Sequence, residues 1–507
     1  MNENTSILKR SLDGAAEVIE NAGKSLPPEL TVQNVGTITY IGPGIIRATG
    51  LSGVRNQEMI RLPGAAYGIA FDLRETETGI VLLDDNKHLA AGNEVYLTGE
   101  ILTIPVGESL LGRIVNGMGE TLDDGMPIKS DRRYPLEKPA PSMMDRLPVT
   151  VPLQTGIKII DALIPIGRGQ RQLIIGDRQT GKTAIALDII INQNEGDMVC
   201  IYCGIGKRAS AVAKLIDDLR RYESMKYSVA VVSTEEDPPG LQYITPYAAM
   251  AVGEFFMDRG MDVLVVLDDL TRHARAYREI ALLLRRPPGR EAFPGDIFYI
   301  HSRLLERSTH LKKEGGGGSL STLPIVETEA QNISAYIPTN LISITDGQIY
   351  LSPDLFRKGI LPAVDVGRSV SRVGGKTQLP AFRTVSGDLR LAYSQFEELE
   401  TFARFGTQMD EETRSTLVRG RRIREAFKQP QYHPMPVCEQ IAALVSLNEG
   451  IFDAFNLNEV PAAIEKISRE VSDTLPEVCR KIESGEKIGD AEIEALIKAA
   501  QRALHMD

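Results

Sequence analysis

The sequence predicts a multidomain protein: an N-terminal antiparallel β-barrel, a central α/β nucleotide-binding domain and a C-terminal α-helical bundle. Three observations carry this. Short apolar alternations broken by glycines fill residues 31–97, strand-like and helical runs alternate through the middle of the chain, and strands fade from about Pro380 onward. A length of 507 residues exceeds what one core supports, and about three domains is the natural division. The expected boundaries are 1–24 for a leading helix, 25–97 for the barrel, 98–379 for the α/β domain and 380–507 for the helical domain.

In chain order, Ile7, Leu8, Leu12, Ala15, Ala16 and Ile19 recur at helical spacing in a polar stretch. They predict a short amphipathic helix that packs on its own protein or docks on a partner. The runs VGTITYI, GIIRAT, EMIRL, GIAFDL, GIVLL and EVYL then alternate between glycine turns, the texture of a small antiparallel barrel. No cluster within them is equipped for chemistry, which makes the barrel structural.

Beyond Gly99, strand-like runs at Leu173 to Ile175, Val199 to Tyr202, Val229 to Val232 and Val263 to Leu267 alternate with helical stretches such as Ala209 to Arg221 and Tyr247 to Arg259. Such alternation implies a mostly parallel sheet that binds ligands at the carboxyl ends of its strands. The four glycines Gly315 to Gly318, bounded by Lys312, Lys313 and Ser319, read as a flexible loop. Helices are expected over Asp388 to Phe405, Asp410 to Lys428, Val437 to Leu447, Val460 to Thr474 and Asp490 to Leu504.

The chemistry is concentrated in Gly176, Asp177, Arg178, Gln179, Thr180, Gly181, Lys182 and Thr183, GDRQTGKT. This is the phosphate-binding loop pattern, and it sits between an apolar strand and an apolar helix as that pattern requires. Backbone N–H groups wrap a polyphosphate, Lys182 reaches its outer phosphates, and Thr183 holds Mg²⁺. A side chain at Gly181 would obstruct the backbone approach. Asp268 closes the run VLVVLD at a strand's carboxyl end, where a carboxylate can hold the water shell of Mg²⁺ opposite Thr183.

Bulk properties narrow the class. With 57 basic against 68 acidic residues, net −11, the balance argues against a nucleic-acid partner held by a basic surface, while leaving room for a local basic channel. Its four cysteines, Cys200, Cys203, Cys438 and Cys479, are too few and too scattered for a disulfide framework, as in a reducing cytoplasm. Cys200 and Cys203 share CxxC spacing within an apolar strand and read as buried thiols. No apolar run reaches the ~20 residues of a membrane span and no signal-peptide pattern opens the chain, so membrane association is expected only through a partner.

GDRQTGKT, LLLRRPPGREAFPGDIFYIHSRLLER (Leu282 to Arg307), YIPTNLISITDGQIYL (Tyr336 to Leu351), SVSRVGG (Ser369 to Gly375) and QYHPM (from Gln431) together resemble the alpha-subunit family of F-type ATP synthases. The resemblance runs essentially end to end. It implies a RecA-like central domain that binds ATP with Mg²⁺, and a place in a ring alternating with catalytic beta subunits. It also implies a central-stalk gamma subunit, a peripheral-stalk delta subunit reached by the N-terminal helix, and the cytoplasmic face of a coupling membrane. Arg372 resembles the arginine that alpha projects into the neighbouring beta site, where it stabilises charge on the transferring phosphoryl group. Ser369 and Ser343 match serines lining that interface, and Gln429 and Gln431 match glutamines beside the adenine of alpha's own nucleotide. Between them stands Pro430 where the family usually has Gly.

The most informative departure is Lys207. The catalytic subunit places a glutamate there to orient the attacking water and most alpha subunits a glutamine, whereas this chain reads Gly206, Lys207, Arg208. A charged ammonium cannot serve as a base. Three functions remain to compare. A non-catalytic ATP-binding subunit of a rotary synthase fits best. A self-sufficient catalytic ring ATPase, of beta or secretion-export type, needs the glutamate that Lys207 replaces. An RNA-translocating hexamer needs a basic channel and an aromatic-rich barrel, but residues 31–97 hold only Tyr40, Tyr67, Phe71 and Tyr96.

Overall fold

The computed structural model describes residues 34–84, 88–130, 132–195, 198–403 and 411–506. The expected N-terminal amphipathic helix lies outside them. The first unit is the barrel the alternation predicts, closed in the order Val35–Gly42, Ile45–Thr49, Thr78–Leu82, Tyr67–Leu73, Glu58–Arg61, Glu94–Ile101. The last strand pairs antiparallel with the first, Thr37 opposite Glu94. Alternation sends Ile38, Ile46, Ile60, Ala70, Ile80 and Val95 inward, because successive side chains of a strand point to opposite faces.

The central unit is built on a ten-stranded sheet among the described residues. Its main path runs Val364–Ser371, Gly347–Leu351, Leu173–Asp177, Ser319–Thr328, Asp262–Asp268, Met198–Lys207, Ser228–Thr234 and Ile114–Val115. Neighbours along this path are parallel apart from the first pair. The strands are nearly continuous apolar runs because helices cover both faces of the sheet. Ala209–Arg221 is helical as its spacing predicts, burying Leu215, Ile216 and Leu219 on one face.

Two expectations shift here. The helix expected from Tyr247 begins at Pro239 and runs to Met257, with Pro246 inside it. Pro246 removes one backbone donor, while burial of almost every side chain along the helix outweighs that loss. The glycine run, expected as a loop, forms a tight turn fitted against the end of the same helix. Gly316 and Gly317 have φ of +116° and +79°, and a Cβ on Gly318 would lie 2.3 Å from the Met257 carbonyl oxygen. Near the carboxyl end of this helix, buried Glu254 receives both arms of Arg307, at 2.8 and 3.0 Å. Arg307 also donates to the Leu136 carbonyl at 2.7 Å.

The third unit is helical over Pro380–Ala403, Glu411–Phe427, Val437–Asn448, Val460–Thr474, Pro476–Glu483 and Asp490–Ala503. Against the reading that the cysteines are too scattered to pair, Cys438 and Cys479 form a disulfide with Cα atoms 5.0 Å apart. The reason is tertiary: the Val460–Thr474 helix returns the chain, so positions 41 residues apart meet across two packed helices. Cys200 and Cys203 are buried thiols. The bundle is anchored to the sheet unit by Asp161, in the buried helix Lys158–Leu163. Asp161 accepts from Thr155 N and Oγ1 (2.8 and 2.7 Å), Gly156 N (3.0 Å) and, from the bundle, Gln440 Nε2 (3.0 Å).

Candidate functional site

The phosphate loop leaves the carboxyl end of Leu173–Asp177, between Ser319–Thr328 and Gly347–Leu351, and opens the helix Lys182–Ile191. Gly181 takes φ +95°, a left-handed conformation that favours glycine. A Cβ there would meet no atom within 4 Å. The space it would enter is the space the loop encircles, as expected if a ligand's approach is what glycine protects. Gly176 is held for another reason, since its Cβ would lie 2.7 Å from the Leu351 carbonyl oxygen.

The loop is braced by its own residues and by the neighbouring strand end. Asp177 accepts from Thr328 Oγ1 at 2.5 Å and from Gln331 N at 3.0 Å, while its carbonyl accepts from Thr180 Oγ1 at 2.8 Å. Lys182 is buried, and its ammonium folds onto the carbonyls of Gly176 and Asp177 at 3.0 and 2.5 Å. Burial pulls its pKa down from the ordinary lysine value. Arg178 is exposed and donates to Glu327 at 3.0 Å.

Beside the loop, Thr183 Oγ1 donates to Asp268 Oδ2 at 2.7 Å, and Tyr202 OH donates to the same oxygen at 3.0 Å. The two residues expected to hold Mg²⁺ are therefore brought together, and both offer the hard oxygen donors that ion takes. The next residue, Asp269, caps the helix Leu270–Leu283 by accepting from Arg272 N. Lys207 is not a freely solvated lysine: its side chain is mostly buried, at the wall of a cavity beside the loop. Gly206, at φ +56°, and a register shift between Gly204 and Lys207 turn the strand end inward. The Lys207 ammonium thereby reaches Asp268 Oδ1 at 2.6 Å and Asp269 Oδ2 at 3.4 Å. Burial pulls its pKa down, but the two carboxylates outweigh that and hold it above the ordinary lysine value.

An adjoining cavity of about 340 Å³ is lined by Gln179, Thr180, Gly181, Ile185, Phe356 and Pro430, among others. Gln429 and Gln431 both border it but differ in what they can offer. Gln429 spends its amide inside the chain, donating to the Gly156 and His433 carbonyls at 2.7 Å and accepting from Lys158 N at 3.1 Å. Gln431 is exposed. Asp188, on the wall, has its carboxyl pushed up to about 6 by burial. It accepts from Tyr432 N at 2.9 Å.

Arg372 lies elsewhere, just past the sheet's antiparallel edge strand. It is exposed, and its guanidinium donates to the Thr345 and Ile342 carbonyls at 3.1 and 3.2 Å, forming no ion pair among the described residues. Ser343 is exposed on the helix those carbonyls end. Ser369, expected on the same face, is buried: its hydroxyl donates to the Asp365 carbonyl at 2.6 Å and accepts from Tyr350 N at 2.9 Å. The strand is irregular here, with a register shift against Gln348 and Tyr350, and the Ser369 hydroxyl turns inward to accept the Tyr350 N–H. Sequence reasoning missed Tyr202 and Asp269, whose contacts with Asp268 or Lys207 join neighbouring strands; Tyr202 lies between the CxxC cysteines in an apolar run that carries no signal of a polar contact.

Comparison with known proteins adds three observations. Residues 156–371 match the family model of the ATP synthase alpha/beta family, nucleotide-binding domain, and residues 378–503 that of the ATP synthase alpha/beta chain, C terminal domain. The chain is 59% identical over 498 residues to ATP synthase subunit alpha 2 of Syntrophotalea carbinolica, covering 98% of this chain and 94% of that protein. It is 57% identical to ATP synthase subunit alpha 2 of Syntrophus aciditrophicus, covering 98% and 96%, and 56% identical to that of Nitrosospira multiformis, covering 99% and 98%.

Proposed function

Because the chain belongs to the ATP synthase alpha/beta family, with alpha subunits as full-length relatives, we propose that it is the regulatory, non-catalytic ATP-binding subunit of a rotary F-type ATP synthase. In this reading it alternates with beta subunits around a gamma stalk, meets delta through its N-terminal helix, and associates with an ion-coupling membrane only through partners. Among the described residues no helix is long and apolar enough to cross a membrane.

The phosphates of ATP rest on the N–H groups of Gln179 to Thr183, with the Lys182 ammonium turning from the loop carbonyls to the outer phosphates. The adenine enters the cavity walled by Phe356, Pro430 and Gln431. Gln429 positions that wall rather than touching the base. Thr183 and Asp268 would hold Mg²⁺, which supplies positive charge to the outer phosphates.

One observation carries the non-catalytic assignment: at the strand end where a base would stand, Lys207 is clamped to Asp268 at 2.6 Å. A lysine held cationic takes no proton from water. The remaining carboxylates at this end are engaged as well, Asp269 by Lys207 and Glu327 by Arg178. Arg372, exposed beside Ser343, is then the group offered to the neighbouring catalytic site, with Ser369 fixing the strand that carries it.

The test is to load the assembled ring with labelled ATP, let it turn over, remove exchangeable nucleotide and identify what stays on this chain. Intact ATP is expected. Mostly ADP, with phosphate released at the rate of catalysis, would show that this site hydrolyses ATP.

A further inference from the structure

The contact of Lys207 with Asp268 does more than remove a base. Asp268 is buried, and its two oxygens already accept from three donors: Lys207 at 2.6 Å on one side, Thr183 at 2.7 Å and Tyr202 at 3.0 Å on the other. Before any ligand arrives, Lys182, Lys207 and Arg178 stand against Asp268, Asp269 and Glu327, with Lys207 paired to both aspartates and Arg178 to Glu327. A divalent cation entering here meets a carboxylate whose charge is already compensated, with an ammonium close by that repels it. A polyphosphate entering here finds a second cation besides Lys182. Lys207, Thr183 and Asp268 border the same cavity of about 240 Å³, so the ammonium faces the space beside the loop rather than packing in a sealed core.

We propose that Lys207 is a built-in counter-ion at the metal end of the phosphate site, so that this chain binds magnesium-free ATP nearly as tightly as its magnesium complex. The proposal rests on the nucleotide-binding reading above and extends it to the ionic form of the ligand. A buried ion pair with only a structural role would leave the preference for magnesium untouched, and this separates the two.

The experiment measures equilibrium binding of trinitrophenyl-ATP to the full-length chain by fluorescence, in magnesium and in excess EDTA. For the native chain the ratio of the two Kd values is expected to be about three or less. In Lys207→Gln it rises by about tenfold or more, the scale on which one unit charge in a partly buried site acts. Lys207→Arg, which keeps the charge, stays near the native ratio. A native ratio of about ten or more overturns the proposal by itself, whether or not either variant folds. Equal ratios in the native chain and Lys207→Gln overturn it too. No saturable binding in either buffer overturns it together with the reading it rests on.

Discussion

Asp161 shows how much a single residue can report. Its carboxyl is fully buried, and burial, opposed by its hydrogen bonds to Gln440, Thr155 and Gly156, raises its pKa from 3.8 to about 6. The native state therefore holds this proton more tightly than the unfolded chain does. The resulting stability is full below the unfolded pKa and is lost as pH rises through the folded one. At 1.36 kcal/mol per unit, this group makes the native state about 2 kcal/mol less stable at pH 7 than at pH 4. Gln440 Oε1 has no hydrogen-bond partner among the described residues, which leaves an acceptor on the amide that meets the protonated acid. Asp161→Asn is expected to flatten this part of the slope, whatever its effect on absolute stability. Denaturant midpoints at pH 4.5 and 7, native against variant, check it; equal slopes would assign the pH dependence to other groups.

Between elements, the physics that sequence displays is local, and the physics it hides is tertiary. GDRQTGKT is legible because its conformation and chemistry are settled within eight residues, and Ala209–Arg221 because one face is apolar at helical period. The start at Pro239 was hidden by Pro246, a helix breaker on its own that neighbouring packing overrides. The eight-residue helix Pro476–Glu483 follows the Val460–Thr474 helix after Leu475 alone, and Ile482 is its one buried side chain. Lys207 was legible as a missing base, but not as the partner of Asp268, because 61 positions separate them and only parallel strand pairing brings them together. The Glu254–Arg307 pair belongs to the same hidden class, each side chain 1% exposed. Arg307→Met removes one charge and leaves the other buried, which costs about 3 to 5 kcal/mol. Chemical denaturation is expected to show that loss, and a variant as stable as the native chain would mean that Glu254 becomes protonated or hydrated at little cost.

For the proposed ring, the test lies at Arg372. Among the described residues its exposed guanidinium bonds only to carbonyls, so removing it disturbs no ion pair among them. Arg372→Ala is expected to leave folding and ring assembly intact while lowering ring hydrolysis by roughly 10³ to 10⁵. Turnover near native in a reconstituted ring would place the trans-acting charge elsewhere. The barrel sets a different limit. Because its six strands close on themselves, it has neither a first nor a last strand, and no row of unpaired peptide groups is offered sideways. A neighbouring copy cannot lengthen this sheet by lending a strand. Whatever touches this part of the chain has to do so through side chains such as Val35, Tyr40, Ile41 and Ile101, which stand exposed on the outside. Contacts of that kind can be made and unmade with the barrel whole, so its backbone pairing need not open when a neighbour joins or leaves.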